Sequence, residues 1–377
     1  MFFKKTVRKV CAAILVGTVS LTMSYPIMSM PRADASKLTD ILIGTGVTAA
    51  AVAIQQQKVR SVIKYFNTTS EGQVELLDEF KAKYGVNEDP VLNSRFSKIM
   101  ADLSNAVAKV DPSINEKPYK YFINNQNSIN AACSLGHVMT VNVGTFANIP
   151  NDDEIAAIVG HEMGHGQKDH VYKGNVKSMT RQIIAAVGVG ALSATTVGAL
   201  TAPIAGIIAL NQFNAHSIKR NEWEADGLSF DYMVNTHYNP GACAAVMQRF
   251  IDIMGTQKQS TAAMLLNPSD HPNSEARRDK YVKKLYEYSG NHVTAKNGVV
   301  TVNNKELVNV VAADGMSAPE RSYFVLGNLA VAYKRGYNNS QARAEGGTVY
   351  LGIQPIITPV SGEDSAQTIA DRLNEIK

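Results

Sequence analysis

The 377-residue sequence predicts an α+β protein: a mainly helical core with a small mixed sheet, followed by a small α/β appendage. Residues 71–110 carry apolar side chains at helical spacing. Residues 119–123 and 138–143 show the alternation and the β-branched content of strands. After Gly290, short strand patterns and helical patterns follow one another to the end of the chain. The composition, 45% hydrophobic and 19% charged, is that of a folded protein and excludes disordered and collagen-like chains.

The first 35 residues predict a secretory signal peptide. An apolar stretch at residues 10–24 follows a basic segment, and residues 33–35 are small at the two positions that a signal peptidase reads. The apolar stretch is short for a membrane span, which needs about 20 residues. We therefore expect cleavage after Ala35 and export to the periplasm or cell envelope, with an uncleaved anchor helix as the alternative.

The net charge of the chain is concentrated in this segment. The formal net charge is +4, and residues 1–35 contain five basic residues and one acidic residue, so the rest of the chain is neutral. A neutral body without a basic stretch gives no electrostatic reason to expect a nucleic-acid partner. After cleavage two cysteines remain, Cys133 and Cys243, which could pair or stay as buried thiols.

Helical patterns account for most of the chain up to Gly290. Residues 36–70 predict an N-terminal helical segment, and Pro150 with the polar residues at 151–154 marks the start of a helix that extends through His165. Three further helices are predicted over 219–233, around 246–253 and over 274–288.

An uncharged segment interrupts this region. Residues 182–218 contain no Lys, Arg, Asp or Glu, and we expect an apolar helical hairpin there. Its centre, 183–210, exceeds the length of a membrane span, but Gly, Ala, Thr and Pro203 dilute its hydrophobicity. A hairpin that packs on the protein or contacts a membrane surface is therefore favoured, with a transmembrane helix as the alternative.

Residues 291–377 predict a small α/β accessory domain. Two apolar runs flank Asn303 and Asn304 as in a hairpin, a helix begins near Ser317, and a last helix places its apolar residues on one side. No internal repeat is visible.

An H-E-x-x-H motif is formed by His161, Glu162 and His165. On a helix, residues i and i+4 share a face, so both imidazoles can bind one metal ion while Glu162 reaches a metal-bound water. These groups are two nitrogen ligands and a general base, as a zinc hydrolase requires. The motif occurs by chance in about one chain in a hundred of this length, so a third ligand is needed to support it.

Acidic residues farther along supply the third ligand. Lys168 and Val171 stand where a metzincin would have glycine and histidine, which excludes that class. Glu222 can bind the metal, and Asp226, one helical turn later, can accept the ring N–H of a ligating histidine. Glu224 is expected to point to another face. The alternative is a solvated acidic helix face.

The motifs together resemble the gluzincin family that contains HtpX, BepA, the mitochondrial OMA proteases and the CAAX prenyl proteases. The resemblance covers roughly residues 70–288. It is closest to BepA-like secreted envelope proteases, but residues 132–137 lack the aromatic residue and Pro-Gly-Gly turn that members often carry. It rests on the following positions: Asn130, Ala131, Gly136, Val141, Gly144, the run 154–165, His170, Glu222, Ala225, Asp226, His271, Pro272 and Arg277.

The resemblance implies a zincin-like metalloprotease domain over residues 71–290, with the apolar hairpin inserted. It implies one Zn2+ per chain held by His161, His165 and Glu222, with Glu162 as the catalytic acid and base. It also implies that the edge strand at Asn130 and Ala131 pairs with the substrate backbone.

Two further residues take roles from the same resemblance. His271 would lie at the active site, either as a plug on the open zinc position or acting on substrate. Arg277 would stabilise a developing oxyanion, whereas His170 is expected to be structural. The function expected is a zinc endopeptidase acting on unfolded or misassembled envelope proteins. A non-proteolytic or latent holdase that uses the same cleft is the alternative.

Overall fold

The computed structural model describes residues 49–173, 176, 180, 199–211, 219–257 and 274–377. The predicted signal peptide, most of the predicted hairpin and His271 lie outside the described residues. The chain divides into two units, Met1–Gln55 and Gln56–Lys377, and the second is compact and carries the predicted site. Within the described ranges, no helix combines the length and apolar character needed to cross a membrane.

Among the described residues, eleven α-helices and nine strands have defined bounds, and residues 170–173 are also helical. The helices are α1 (Ala49–Thr68), α2 (Ser70–Tyr84), α3 (Pro90–Val110), α4 (Val143–Asn148), α5 (Asp152–Gln167), α6 (Thr201–Asn211), α7 (Lys219–Met233), α8 (Ala242–Gln257), α9 (Ser274–Tyr288), α10 (Ala318–Lys334) and α11 (Ala366–Ile376). The strands are β1 (Lys120–Asn124), β2 (Ala131–Cys133), β3 (Val138–Asn142), β4 (Val293–Lys296), β5 (Val299–Val302), β6 (Lys305–Asn309), β7 (Ala342–Glu345), β8 (Thr348–Leu351) and β9 (Gln354–Ile357). This content confirms the predicted mainly helical α+β class.

The first sheet is mixed and has the order β1-β3-β2. β3 pairs in parallel with β1 and antiparallel with β2, so that Ala131 lies opposite Val141. β2 is therefore an edge strand, and it lies against α5. Helices α3, α5 and α7 pack against one another beside this sheet.

Two hydrophobic clusters hold the fold. The larger one extends from Phe96 in α3 to Ile376 in α11, so the region after residue 290 shares its core with the helices before it. The smaller one joins α1, α2 and α6. Within the predicted hairpin, the described helix α6 buries Ile204 and Ile208 against α2.

The C-terminal region consists of two successive βββα units, which the sequence analysis missed. The strands begin at residues 293, 299 and 305 in the first unit and at 342, 348 and 354 in the second, a constant offset of 49 residues. Each sheet is an antiparallel meander with a register shift at the second residue of its middle strand. The turn glycines Gly298 and Gly347 have φ values of +90° and +80°, where a side chain would be strained. These glycine turns were the sequence signal for the repeat, because the two units have few other residues in common.

The two units interlock. Helix α10 packs on β4 and β5 of its own unit and on β9 of the second. Helix α11 packs on β7 and β8 of its own unit and on β6 of the first. Each helix thus covers the third strand of the other unit, which is a pseudo-two-fold arrangement.

A buried charge cluster attaches this region to the helix of the H-E-x-x-H motif. Arg249 in α8 donates two hydrogen bonds of 3.0 Å to Glu154, at the start of α5, and a third to Glu320 in α10. Both glutamates are almost completely buried. Burial and the neighbouring Glu154 carboxylate raise the pKa of Glu320 above its usual range, against the effect of Arg249.

This cluster predicts a pH-dependent stability. Because its pKa is raised in the folded state, Glu320 keeps its proton to a higher pH there than in the unfolded chain. The free energy of unfolding therefore falls as the pH rises above the usual glutamate range. We expect Glu320→Gln, which keeps the shape without the titration, to remove a slope on the order of 1 kcal/mol per pH unit above about pH 5. Denaturant unfolding of both proteins at a series of pH values measures this. Parallel stability curves would contradict the assignment.

Candidate metal centre

Helix α5 presents the H-E-x-x-H residues on its buried face. Asn151 caps the helix by accepting a hydrogen bond from the Asp153 N–H, and three acidic residues in the first turn favour its positive end. A Cβ at Gly164 would lie 3.1 Å from the Ala225 Cα. This glycine therefore lets α7 approach α5 closely and brings Glu222 to the two histidines.

Three side chains that can bind a metal converge between these helices. The Nε2 atoms of His161 and His165 are 3.1 Å apart, and they lie 3.4 and 3.3 Å from the two carboxylate oxygens of Glu222. All three residues are buried. Tetrahedral zinc with bonds of 2.0–2.1 Å would place its ligand atoms about 3.3–3.4 Å apart. The donor set and its spacing fit a zinc ion.

Asp226 lies against His161, on the side of its Nδ1. Its Oδ1 is 2.9 Å from the His161 Nδ1, so this nitrogen carries the proton and Nε2 keeps its lone pair for a metal. Asp226 also accepts hydrogen bonds of 2.6–3.2 Å from Arg277 and one of 2.9 Å from Tyr281. Burial alone would raise the pKa of Asp226, but Arg277 and His161 hold it well below its usual range.

Arg277 is 4% exposed, and its guanidinium is directed at Asp226 and the ring of His161. The structure thus brings Arg277 to the centre, beside the ring of a predicted ligand. His271 lies outside the described residues, and its predicted role stays a prediction.

Glu162 contacts the edge strand. Its Oε2 accepts a hydrogen bond of 3.0 Å from the Cys133 N–H of β2. At the start of that strand, the Asn130 N–H donates to Thr145 Oγ1, and the Asn130 C=O accepts from the Asn142 N–H. The sheet therefore fixes the predicted substrate strand beside the predicted general base.

The two cysteines among the described residues are not paired. Cys133 and Cys243 are both buried and free, and burial raises the pKa of both thiols above their usual range. Of the two alternatives left by the sequence, the structure favours buried thiols.

His170 and Glu224 have contacts at this centre that the sequence analysis did not predict, since it gave His170 only a structural role and expected Glu224 to point to another face. The Nδ1 of His165 lies 3.0 Å from the Nδ1 of His170, whose Nε2 lies 3.1 Å from Glu224 Oε2. Helix α5 ends at Gln167, and Asp169 has a φ of +52°, which turns the chain so that His170 returns to the helix. Periodicity along one helix does not predict this contact. The available signal was a third histidine close behind the motif.

A family profile agrees with the geometry. The profile of Peptidase family M48 matches residues 93–284, just over half of the chain, and includes every predicted ligand. The chain belongs to peptidase family M48. The protein is therefore a metalloprotease.

This M48 metalloprotease is similar to several curated proteins. It is 28% identical over 186 residues to "Metalloprotease LoiP" of Escherichia coli, a match that covers 49% of this chain and 69% of LoiP. It is 25% identical over 190 residues to the putative beta-barrel assembly-enhancing protease of Vibrio cholerae, covering 48% of this chain and 38% of the relative. "Metalloprotease YcaL" of E. coli is 25% identical over 170 residues, with 45% of this chain and 64% of YcaL covered.

Proposed function

We propose that this M48 metalloprotease is a zinc-dependent endopeptidase that cleaves unfolded or misassembled proteins of the cell envelope. The observation that carries the proposal is the convergence of three buried side chains between α7 and α5, the helix that also bears Glu162. The Nε2 atoms of His161 and His165 are 3.1 Å apart, and each lies 3.3–3.4 Å from one oxygen of Glu222. Two histidines and a glutamate form a recognised catalytic zinc set, which leaves one position for water or substrate.

Zinc held by His161, His165 and Glu222 would supply Lewis-acid polarisation of the scissile carbonyl and of water. Glu162 acts as general base: its carboxylate accepts the proton of the attacking water and returns it to the leaving amine. The Cys133 N–H fixes one oxygen of this carboxylate, which keeps the group oriented between proton transfers. We assign Arg277 a positioning role through Asp226 instead of oxyanion stabilisation, because its guanidinium is buried against that carboxylate.

The substrate would bind in an extended form along β2. Among the described strands, β2 pairs only with β3, and the Cys133 N–H points to Glu162 and not into that ladder. A peptide added at this edge, starting at Asn130 and Ala131, would pass Glu162. Strand addition uses main-chain hydrogen bonds, so selection favours flexible segments of unfolded proteins over a particular side chain.

The envelope location is supported by the sequence of residues 1–35, which has the pattern of a signal peptide. The names of the beta-barrel assembly-enhancing relatives refer to the assembly of β-barrels, but their matches cover 38% and 32% of those proteins. We extend from them only the proposal that misassembled envelope proteins are the substrate class. Contact of residues 183–210 with a membrane surface is part of the same proposal.

Removal and return of zinc test the activity. We expect a chelator to abolish digestion of casein, an unfolded protein, and stoichiometric zinc to restore it, because the attacking water is activated only at the metal. Gel electrophoresis of the digest and zinc analysis of the same sample measure both quantities. A zinc-loaded protein that binds casein without cleaving it would contradict the peptidase and favour the holdase.

A further inference from the structure

The second ligand histidine has a contact that the first lacks. The Nδ1 of His161 faces the Asp226 carboxylate directly, at 2.9 Å. The Nδ1 of His165 faces another imidazole, His170, at 3.0 Å. His170 is itself 6% exposed, and its other ring nitrogen lies 3.1 Å from Glu224.

The direction of these hydrogen bonds follows from Glu224. An ionised carboxylate only accepts, so the proton of His170 lies on Nε2 and its Nδ1 presents a lone pair. One proton occupies the gap between the two Nδ1 atoms, and it therefore belongs to His165. The Nε2 of His165 is left with a lone pair directed at Glu222, where the metal would bind.

We propose that His170 and Glu224 are positioning residues that fix the tautomer and ring orientation of His165 for zinc, an inference that rests on the proposed zinc site. The two ligand histidines are then both oriented by a carboxylate on the side of Nδ1. A carboxylate acts directly on His161, and another acts on His165 through one intervening imidazole. Both carboxylates come from α7, as does the ligand Glu222. Every second residue from Glu222 to Asp226 therefore binds the metal or orients one of its ligands.

A ligand role for His170 does not fit the geometry. Its nearest contact is with the Nδ1 of His165, whereas the converging ligand atom of that ring is Nε2. A merely structural role for Glu224 is also a poor fit, because its side chain is 45% exposed and contacts the ring of His170. Exposed ion pairs contribute little to stability. The contact with Glu224 therefore matters more for the orientation of the His170 ring than for the stability of the fold.

Substitutions at His170 separate positioning from packing. His170→Leu leaves the buried His165 N–H without an acceptor, whereas His170→Asn keeps an oxygen at the position of Nδ1. We expect His170→Leu to weaken zinc affinity by about 10–100-fold, as removal of a partner of a metal-binding histidine does. Asp226→Asn provides a reference of the same size. His170→Asn should restore most of the affinity, and Glu224→Ala should cause a smaller loss than His170→Leu.

Zinc affinity is measured by competition with a chromophoric chelator, and Co2+ substitution reports the ligand geometry through its visible spectrum. The control is Asp231→Ala, an exposed acid on the same helix that pairs with Lys284, which should leave both readouts unchanged. The unfolding midpoints of the metal-free proteins show whether each variant folds. Equal affinities for the Leu and Asn variants, or no loss in either, would overturn the positioning role. Absence of zinc binding by the native protein would instead overturn the proposed function.

Discussion

Replacing Glu222 by alanine is expected to abolish zinc binding and proteolysis together. The Glu222 side chain is fully buried, and its two oxygens lie 3.3 and 3.4 Å from the ligand nitrogens. Its loss leaves only two histidines to hold the zinc. A water molecule is a poor replacement for a fixed, negatively charged ligand in a buried site. We expect zinc affinity to fall by much more than the 10–100-fold that is lost when a hydrogen-bond partner of a metal ligand is removed. Zinc content after gel filtration, together with casein digestion, measures both effects.

The matched control for this change is Asp231→Asn, which removes an exposed carboxylate from the same helix. It should retain one zinc per chain and full activity. Stoichiometric zinc and native activity in Glu222→Ala would show that another group completes the metal site, and the assignment of the third ligand would be wrong.

Replacing Glu162 by glutamine is expected to stop catalysis while leaving zinc in place. Glutamine has nearly the same shape, and its amide oxygen can still accept the Cys133 N–H, but it cannot take a proton from water at neutral pH. General-base catalysis contributes about 10²–10⁴-fold, so kcat should fall by at least this range. Single-turnover cleavage of a fluorogenic peptide, at equal zinc occupancy, measures the effect.

The zinc content of Glu162→Gln is its own control, because it separates the loss of a base from the loss of the metal. Native rates in this variant would assign the proton transfer to another residue. If the variant also retains unfolded proteins, its bound clients identify the physiological substrates.

The sequence predicted the parts of the site that lie on single helices. The spacing of His161 and His165, and of Glu222 and Asp226, follows the helical repeat, and the structure brings all four together. Arg277 was located by resemblance, but its contact with Asp226 depends on how α9 packs on α7. No periodic pattern contains that information.

The fold was predictable to a similar depth. Among the C-terminal strands, the sequence predicted the hairpin of β5 and β6, but not the duplication, because the two units share turn positions more than residues. Gly298 and Gly347 occupy equivalent tight turns, whereas the residues around them differ. Both turns require a positive φ, whereas the side chains between the turns pack against different neighbours in the two units.

Because the two βββα units interlock, neither is expected to keep its structure when the other is removed. Truncation before residue 342 would remove β9, which packs on α10, and α11, which packs on β6. The apolar surfaces of α10 and β6 that would then be exposed both belong to the unit that remains. That remaining unit carries Glu320, which is joined through Arg249 to the first turn of the helix that bears His161. A late stop codon would therefore damage the metal centre from a distance, by withdrawing the support of the helix on which it is built.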